Sequence, residues 1–327
     1  MPGIFDALPG IEVPVGSIGL GLEQMWDGVA SSGKPSPEGD KSKATQVNFV
    51  LHLGLLTDAE DAARQFDVAV RFSRRYPCRV VVLCPLKDEG TPLEMRAKVY
   101  GECTLGKSKD DTRCCEFVML SYSRSARAFL ENEVSICISP DLPIYYWAHR
   151  FSRAANLAEY TYLLTNARRV IFDSASTPDD AEGYPWPRPE NVRDLAYARL
   201  LPVRQAIGQF LGRYPAAALG VGLRSIELRH GAGVAPEARV LFKWVRGRLA
   251  DCGASGQAER VLQPSDLPPR SFELAFAYVD GRSFVWKADL DTSHAQFDAD
   301  FGNGRTVMTA TASLLSQEDA LSEAMFF

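Results

Sequence analysis

Gln46-Val47-Asn48-Phe49-Val50-Leu51-His52-Leu53 and, further on, Cys78-Arg79-Val80-Val81-Val82-Leu83-Cys84 are the two runs that decide the fold. Both are short, apolar and rich in β-branched residues, the signature of strands covered on both faces. Between them Thr57 and Glu60 have capping-box spacing. Ala62, Phe66, Val70 and Ser73 then recur at the helical period as far as Arg75, and Pro77 stops the helix. Strand, helix and strand make a β-α-β unit, which predicts a parallel sheet.

Outward from this unit, Val99 to Thr104 and Cys115 to Ser121 read as two more strands, with the polar residues 106–111 as their hairpin tip. Ser125 to Glu133 and Ala155 to Thr165 read as helices, and Arg169 to Phe172 as a short strand ending at Asp173-Ser174. The run Ile136 to Trp147 is apolar and β-branched, and reads as a buried strand that Pro140 and Pro143 break. It places Asp141 and the rings of Tyr145, Tyr146 and Trp147 at a strand mouth, where α/β proteins build recognition sites. Upstream, residues 1–20 look like an extended arm, 21–30 a short helix and 31–43 a loop. Pro178, Pro185, Pro187 and Pro189 mark 175–190 as a linker, after which Asn191 is a candidate helix cap with Asp194 at the third position. Further on come a strand at Ser225–Arg229, a helix at Pro236–Leu249 and a hairpin turning at Asp280-Gly281 between Phe272–Tyr278 and Phe284–Leu290. A strand near Thr306–Ala312 and a helix from Gln317 follow. The expectation is an α/β chain: arm, short helix and loop over 1–43, an open α/β sandwich with a mixed sheet over 44–190, connecting helices over 191–213, and a smaller α+β domain over 214–327.

The 327 residues carry 36 basic and 41 acidic side chains, a net charge of −5, which argues against general nucleic-acid binding. No apolar run reaches the roughly 18 residues of a membrane span, and the N-terminus lacks a basic region leading into an apolar core. The expected compartment is the cytoplasm. Seven cysteines, an odd number, argue against a disulfide framework, and most sit in apolar runs as small buried hydrophobes.

Chemistry-bearing motifs are scarce. Gly16, Gly19 and Gly21 have the wrong spacing for a dinucleotide loop, and no phosphate loop is present. His52, His149, His230 and His294 are scattered, the cysteines lack zinc spacing, and Ser174 beside Asp173 has no nucleophile elbow around it. No catalytic group, metal or cofactor is expected. Cys103 and Cys114 bracket the hairpin and are the candidate redox pair. Asp141, Pro143, Tyr146 and Trp147 are the candidate partner-binding cluster, with Arg199 and Arg204 as directional polar contacts. A second reading makes Arg79, Arg199 and Arg204 an anion site, with His149 or Asp141 nearby, in a sugar-phosphate-binding enzyme or sensor.

Taken in order, several pieces resemble the glucose-6-phosphate dehydrogenase assembly protein family, the OpcA proteins. They are Leu22-Glu23-Gln24-Met25-Trp26, Ala44 to Val50, Tyr76-Pro77-Cys78-Arg79-Val80, and Cys115-Glu116 opening a strand. Asp141-Leu142-Pro143 with Tyr146-Trp147, Val170 to Ser174, Asp194 to Leu200 and Pro202-Val203-Arg204 complete the series, which spans most of residues 20–213. The family favours a tryptophan where Tyr146 stands, and tryptophans at the positions of Tyr197 and Val203. The resemblance implies a non-catalytic subunit that binds glucose-6-phosphate dehydrogenase and promotes its active oligomer. In photosynthetic relatives the effect is linked to thiol redox state.

Overall fold

The computed structural model describes residues 3–31, 46–86, 94–105, 112–151, 153–176 and 183–327. The expected hairpin tip at 106–111, most of the 31–43 loop and part of the 175–190 segment lie outside them. The chain divides into two compact units, one running up to Leu195 and including Gln317–Phe327, the other Ala196–Ser316. The division falls after the linker expected from the prolines. Tyr184 and Trp186, within that segment, pack with Phe172, whose ring lies 5.9 Å from that of Trp186. The terminal helix, expected in the second domain, belongs to the first unit.

In chain order the first unit contains α1 (Ile4–Ala7), β1 (Ile11–Val13), α2 (Ile18–Ser31), β2 (Val47–Leu53), α3 (Ala59–Arg75), β3 (Cys78–Pro85), β4 (Met95–Leu105) and β5 (Thr112–Tyr122). A 3-10 turn (Ser125–Phe129) leads into α4 (Leu130–Cys137) and β6 (Ile144–His149). Another (Ala154–Tyr160) leads into α5 (Thr161–Asn166), β7 (Ala167–Phe172) and β8 (Val192–Asp194). The eight strands form one mixed sheet in the order β1-β4-β5-β3-β2-β6-β7-β8. β2 pairs in parallel with β3 and β6, while β4 runs antiparallel to β5 and β1. The expected β-α-β unit is therefore the centre of the sheet.

One sheet face packs Phe49 and Trp147 against α3 and the C-terminal helix Gln317–Phe326, through ring pairs such as Phe49–Phe72 at 5.6 Å and Phe72–Phe326 at 6.2 Å. The other buries Val50, Val81, Val118 and Tyr146 beneath Leu22 and Trp26 of α2, Val134 of α4 and Leu163 of α5. Such two-sided coverage is why β2 and β3 read as unbroken apolar runs.

Several boundaries differ from expectation for identifiable reasons. The N-cap of α3 is Asp58, whose Oδ1 accepts from the Asp61 N–H at 2.8 Å, rather than Thr57. Ile136 and Cys137 end a helix, with Ile136 73% exposed, and the strand starts only at Ile144, after the prolines. The arm is a docked element. β1 pairs with β4, and buried Lys98 donates to the carbonyls of Phe5 and Leu8 at 2.9 and 3.0 Å. Asn191 caps nothing; its Nδ2 donates to Ala167 O at 3.2 Å, and Val192–Asp194 is an edge strand.

The second unit holds α6 (Leu195–Arg199), α7 (Leu201–Leu211), α8 (Ala216–Gly220), β9 (Leu223–His230), α9 (Ala235–Asp251), β10 (Glu259–Pro264), β11 (Ser271–Tyr278), β12 (Ser283–Asp289), β13 (His294–Asp300) and β14 (Thr306–Thr311). Pro202 sits in the first turn of α7, where its missing N–H costs nothing. The sheet order is β10-β9-β11-β12-β13-β14. Val203, Ile207 and Phe210 of α7 and Leu241 and Val245 of α9 join Leu228, Leu274, Trp286 and Phe297 in its core.

Candidate functional site

In this topology the chain leaves β2 through α3 to β3 on one side, while β6 lies on the other. The C-terminal ends of β2 and β6 thus flank the crevice where open α/β sheets bind ligands. The crevice is filled by the protein's own groups. Asp61, in the first turn of α3, is held at the positive end of the helix dipole. Its Oδ2 accepts from His149 Nε2 at 2.8 Å and lies 3.0 Å from Arg150 Nε, and its Oδ1 accepts from Gln65 Nε2 at 2.9 Å. Gln65 Oε1 accepts in turn from Gln317 Nε2 at 2.6 Å, which ties the C-terminal helix to the cluster. The Asp61 and His149 side chains are 3% and 5% exposed. Burial alone would raise the Asp61 carboxyl pKa, but hydrogen bonds from His149 and Gln65 and the nearby charges outweigh it and hold the group below the carboxylate range.

An Asp-His pair is the orienting half of a catalytic constellation. Here no nucleophile completes it: His149 Nδ1 is buried without a hydrogen-bond partner among the described residues. The backbone closes the crevice further. The Gly54 N–H donates to His149 O at 2.6 Å, and a Cβ at Gly54 would collide with the Arg150 carbonyl. Arg150 itself has φ of 50°, a left-handed conformation that costs a non-glycine residue energy and persists only where its surroundings enforce it. Gly54→Ala should therefore lower stability by about 1–3 kcal/mol through overpacking of the two strand ends, measured as a shifted urea midpoint.

A second buried network lies on the opposite sheet face. His52 Nδ1 is 2.8 Å from Tyr146 Oη, His52 Nε2 is 2.7 Å from Tyr122 Oη, and Tyr122 Oη is 2.8 Å from Tyr160 Oη. A neutral His52 completes this chain if Tyr146 donates to Nδ1, Nε2–H donates to Tyr122, and Tyr122 donates to Tyr160. Complete burial depresses the His52 pKa to about 3.

The residues expected to form a partner surface are separated by the fold. Tyr146 and Trp147 are fully buried, Tyr146 in the histidine network and Trp147 stacked on Phe49 at 6.4 Å. They hold the domain together and offer no surface. Asp141 is exposed, but it lies in the loop that enters β6, at the opposite end of the sheet from the crevice. The expectation of acid and rings together at a strand mouth is corrected on both counts, because the strand begins after the prolines and its alternate side chains enter the two cores. Asn48, which the sequence reading passed over, fixes this loop. Its Nδ2 donates to Ser139 O and Leu142 O at 2.7 and 3.0 Å, its Oδ1 accepts from Ser139 N–H at 3.0 Å, and its N–H donates to Pro143 O at 3.0 Å.

Arg79 belongs to the same sheet end. It donates to Glu116 Oε2 from Nη2 at 2.6 Å and to Cys137 O at 3.4 Å, while Trp26 Nε1 donates to Glu116 Oε1 at 3.0 Å. Cys103 and Cys114, opposite each other across β4 and β5, form a disulfide. Bonded polar groups thus run from Glu116, two residues beyond Cys114, through Arg79 to the helix end that leads into the Asp141 loop. Arg199 and Arg204 lie in the other unit. Arg199 is paired with Glu237 at 2.9 Å, and Arg204 stacks over the Tyr197 ring at 3.6 Å. Among the described residues no group of His, Cys, Asp and Glu is arranged to hold a metal ion, and no helix is long and apolar enough to cross a membrane.

Residues 69–184, which include Arg79, Cys103, Cys114, Glu116 and the Asp141 loop, match the model of the glucose-6-phosphate dehydrogenase subunit N-terminal domain. An OxPP cycle protein, OpcA, from Synechococcus elongatus is 25% identical over 173 residues, which are 53% of this chain and 38% of the relative. Among solved structures, glucose-6-phosphate 1-dehydrogenase from Mycobacterium avium aligns over 86% of each chain at 11% identity with a TM-score of 0.48. A 3-ketoreductase from Actinomadura kijaniata covers 86% of this chain and 88% of its own at 8% identity with a TM-score of 0.36. Both structural likenesses are weak. The domain match and the curated relative agree with the ordered motifs read from the sequence: residues 69–184 are similar to the glucose-6-phosphate dehydrogenase subunit N-terminal domain, and about half of the chain is similar to OpcA, of whose own length it spans well under two thirds.

Proposed function

We propose that the chain is a non-catalytic assembly or regulatory subunit of a glucose-6-phosphate dehydrogenase. The observation that carries this reading is the filled crevice. At the place where an open α/β sheet seats a ligand, Gly54, Asp61, His149 and Arg150 contact one another, and among the described residues they leave no cradle for a phosphate. The description of the matching domain, a glucose-6-phosphate dehydrogenase subunit, and the curated relative's place in the OxPP cycle support that partner. The docking surface is the sheet end that carries Asp141, whose loop Asn48 holds in one conformation and so spares the entropy of ordering on binding. The Cys103–Cys114 disulfide gives that end a redox-sensitive brace. The anion-sensor reading is less well supported, because Arg79, Arg199 and Arg204 are each engaged by Glu116, Glu237 and Tyr197.

The test mixes the full chain with the dehydrogenase of the same host and follows co-elution together with the substrate KM, under oxidising and reducing conditions. A complex with altered KM or oligomeric state is expected, and Asp141→Arg should weaken it at least tenfold while leaving the chain's own melting temperature in place. A failure to form any complex under either condition overturns the reading.

A further inference from the structure

Edge strands expose unpaired N–H and C=O groups, and proteins ordinarily blunt them with short length, charge or proline. Three of the four sheet edges follow this rule. β1 and β8 are three residues long and carry Glu12, or Arg193 and Asp194. β10 carries Glu259, Arg260 and Pro264. β14 departs from it: Thr306-Val307-Met308-Thr309-Ala310-Thr311 has six residues, no charge and no proline, and ends its sheet with no strand on its outer side among the described residues. The edge is open to solvent, with Thr306, Val307, Thr309 and Thr311 exposed and Val307 at 52%.

The polarity of that edge is fixed. Ala312 N–H donates to Ser293 O at 3.2 Å, directly across from it in the register that pairs Thr311 with His294. By strand alternation the even-numbered residues of β14 bond to β13, and Val307, Thr309 and Thr311 turn their main-chain groups outward. We propose that β14 is a self-pairing edge through which two copies of this chain associate antiparallel about a two-fold axis at Thr309. In this register Thr309 lies opposite Thr309 of the second copy, Val307 opposite Thr311, and Met308 opposite Ala310. The outward residues exchange both main-chain hydrogen bonds with their opposites. Core-facing side chains stay opposite core-facing ones, so the two sheets continue as one. The cross-strand pairs are Thr–Thr, which is favourable in sheets, with Val–Thr and Met–Ala beside it, none of them charged. The nearest charge, Arg305, is already paired with Asp298 at 2.5 Å and falls opposite Ser313, so no like charges meet. A charge-free strand that is complementary to itself favours a second copy over a charged segment of another protein.

The test is sedimentation velocity of the full chain across a dilution series up to roughly 100 µM, above the micromolar range expected of a small interface. A reversible monomer–dimer equilibrium is expected. Thr309→Lys, which sets two ammonium groups against each other on the axis, and Thr309→Pro, which removes an outward N–H, should each weaken it at least tenfold. Because Thr309 is exposed, Thr309→Lys should keep the wild-type melting temperature. Thr309→Cys should cross-link to itself under oxidation, whereas Thr311→Cys, whose opposite is Val307, should not. A chain that stays monomeric throughout the series, or a dimer indifferent to both Thr309 variants, overturns the proposal.

Discussion

Asp61→Ala is expected to lower the stability of the N-terminal unit by about 3–5 kcal/mol, the usual cost of removing one partner from a buried ionic cluster. The magnitude follows from what the carboxylate satisfies at once. It accepts from His149 and Gln65 and neutralises Arg150 in a position where its side chain is 3% exposed. Without it, His149 Nε2 and Gln65 Nε2 lose their acceptor in a buried site, and the left-handed backbone at Arg150 loses the ion pair that favours it. Gln317→Ala, which removes only the outermost hydrogen bond of the chain, should cost about 1 kcal/mol. Urea unfolding followed through Trp147, whose ring lies 5.7 Å from that of His149, reads both variants. A loss for Asp61→Ala no larger than that for Gln317→Ala would show that the cluster does not hold the strand ends together. The wild type carries a related pH signature. The folded pKa of Asp61 lies below its unfolded value, so its stabilisation is full above about pH 4 and is lost as pH falls through the folded value.

The same cluster shows why parts of the molecule were legible in the sequence and parts were not. β2, α3 and β3 follow from local pattern: apolar runs of strand length, a helical period and a proline stop. β4 and β5 follow nearly as well, and their register sets Cys103 against Cys114, although the odd number of cysteines argues against the disulfide that the two form. The buried polar groups carry no such local signal. His52 sits in an apolar run like any small hydrophobe, and its hydroxyl partners are 70 and 94 residues away. Asn48 bonds to groups 91 and 94 residues away, and the only clue to it is an amide inside a run of otherwise apolar residues. Tyr146 and Trp147 misled for the opposite reason. Large rings near prolines suit an interface as well as a core, and composition cannot choose between them. What decides is that both faces of β6 are covered, one by α3 and the C-terminal helix and the other by α4 and α5, so its alternate side chains enter two cores. β13 carries a weaker signal, because its alternation, His294 to Asp300, interleaves small alanines and one phenylalanine with acids, and its pairing with β12 and β14 supplies what the pattern lacks.

His52 should make the first unit acid-labile in a pH range where carboxylates play little part. In the native state, complete burial keeps the imidazole neutral down to about pH 3, whereas in the unfolded chain it titrates near 6.5. Between those values the unfolded state binds a proton that the native state refuses, so stability falls as pH is lowered. The slope approaches roughly 1.4 kcal/mol per pH unit and the total is about 4–5 kcal/mol once pH 3 is reached. The sign is firm because the hydroxyls of Tyr122 and Tyr146 offer no negative charge to an imidazolium, and protonation would leave both ring nitrogens as donors, which at least one of the hydroxyls would have to reorient to accept. Denaturant midpoints measured from about pH 7.5 to 4.5 test this above the window in which Asp61 titrates. His52→Gln should be less stable than the wild type at neutral pH, because it loses the ring's edge contacts with Phe151 and Tyr160. Its stability should then fall more gently with acid, so that the two curves converge toward pH 4.5. Parallel curves would assign the acid sensitivity to other groups and reduce the His52 network to ordinary core packing.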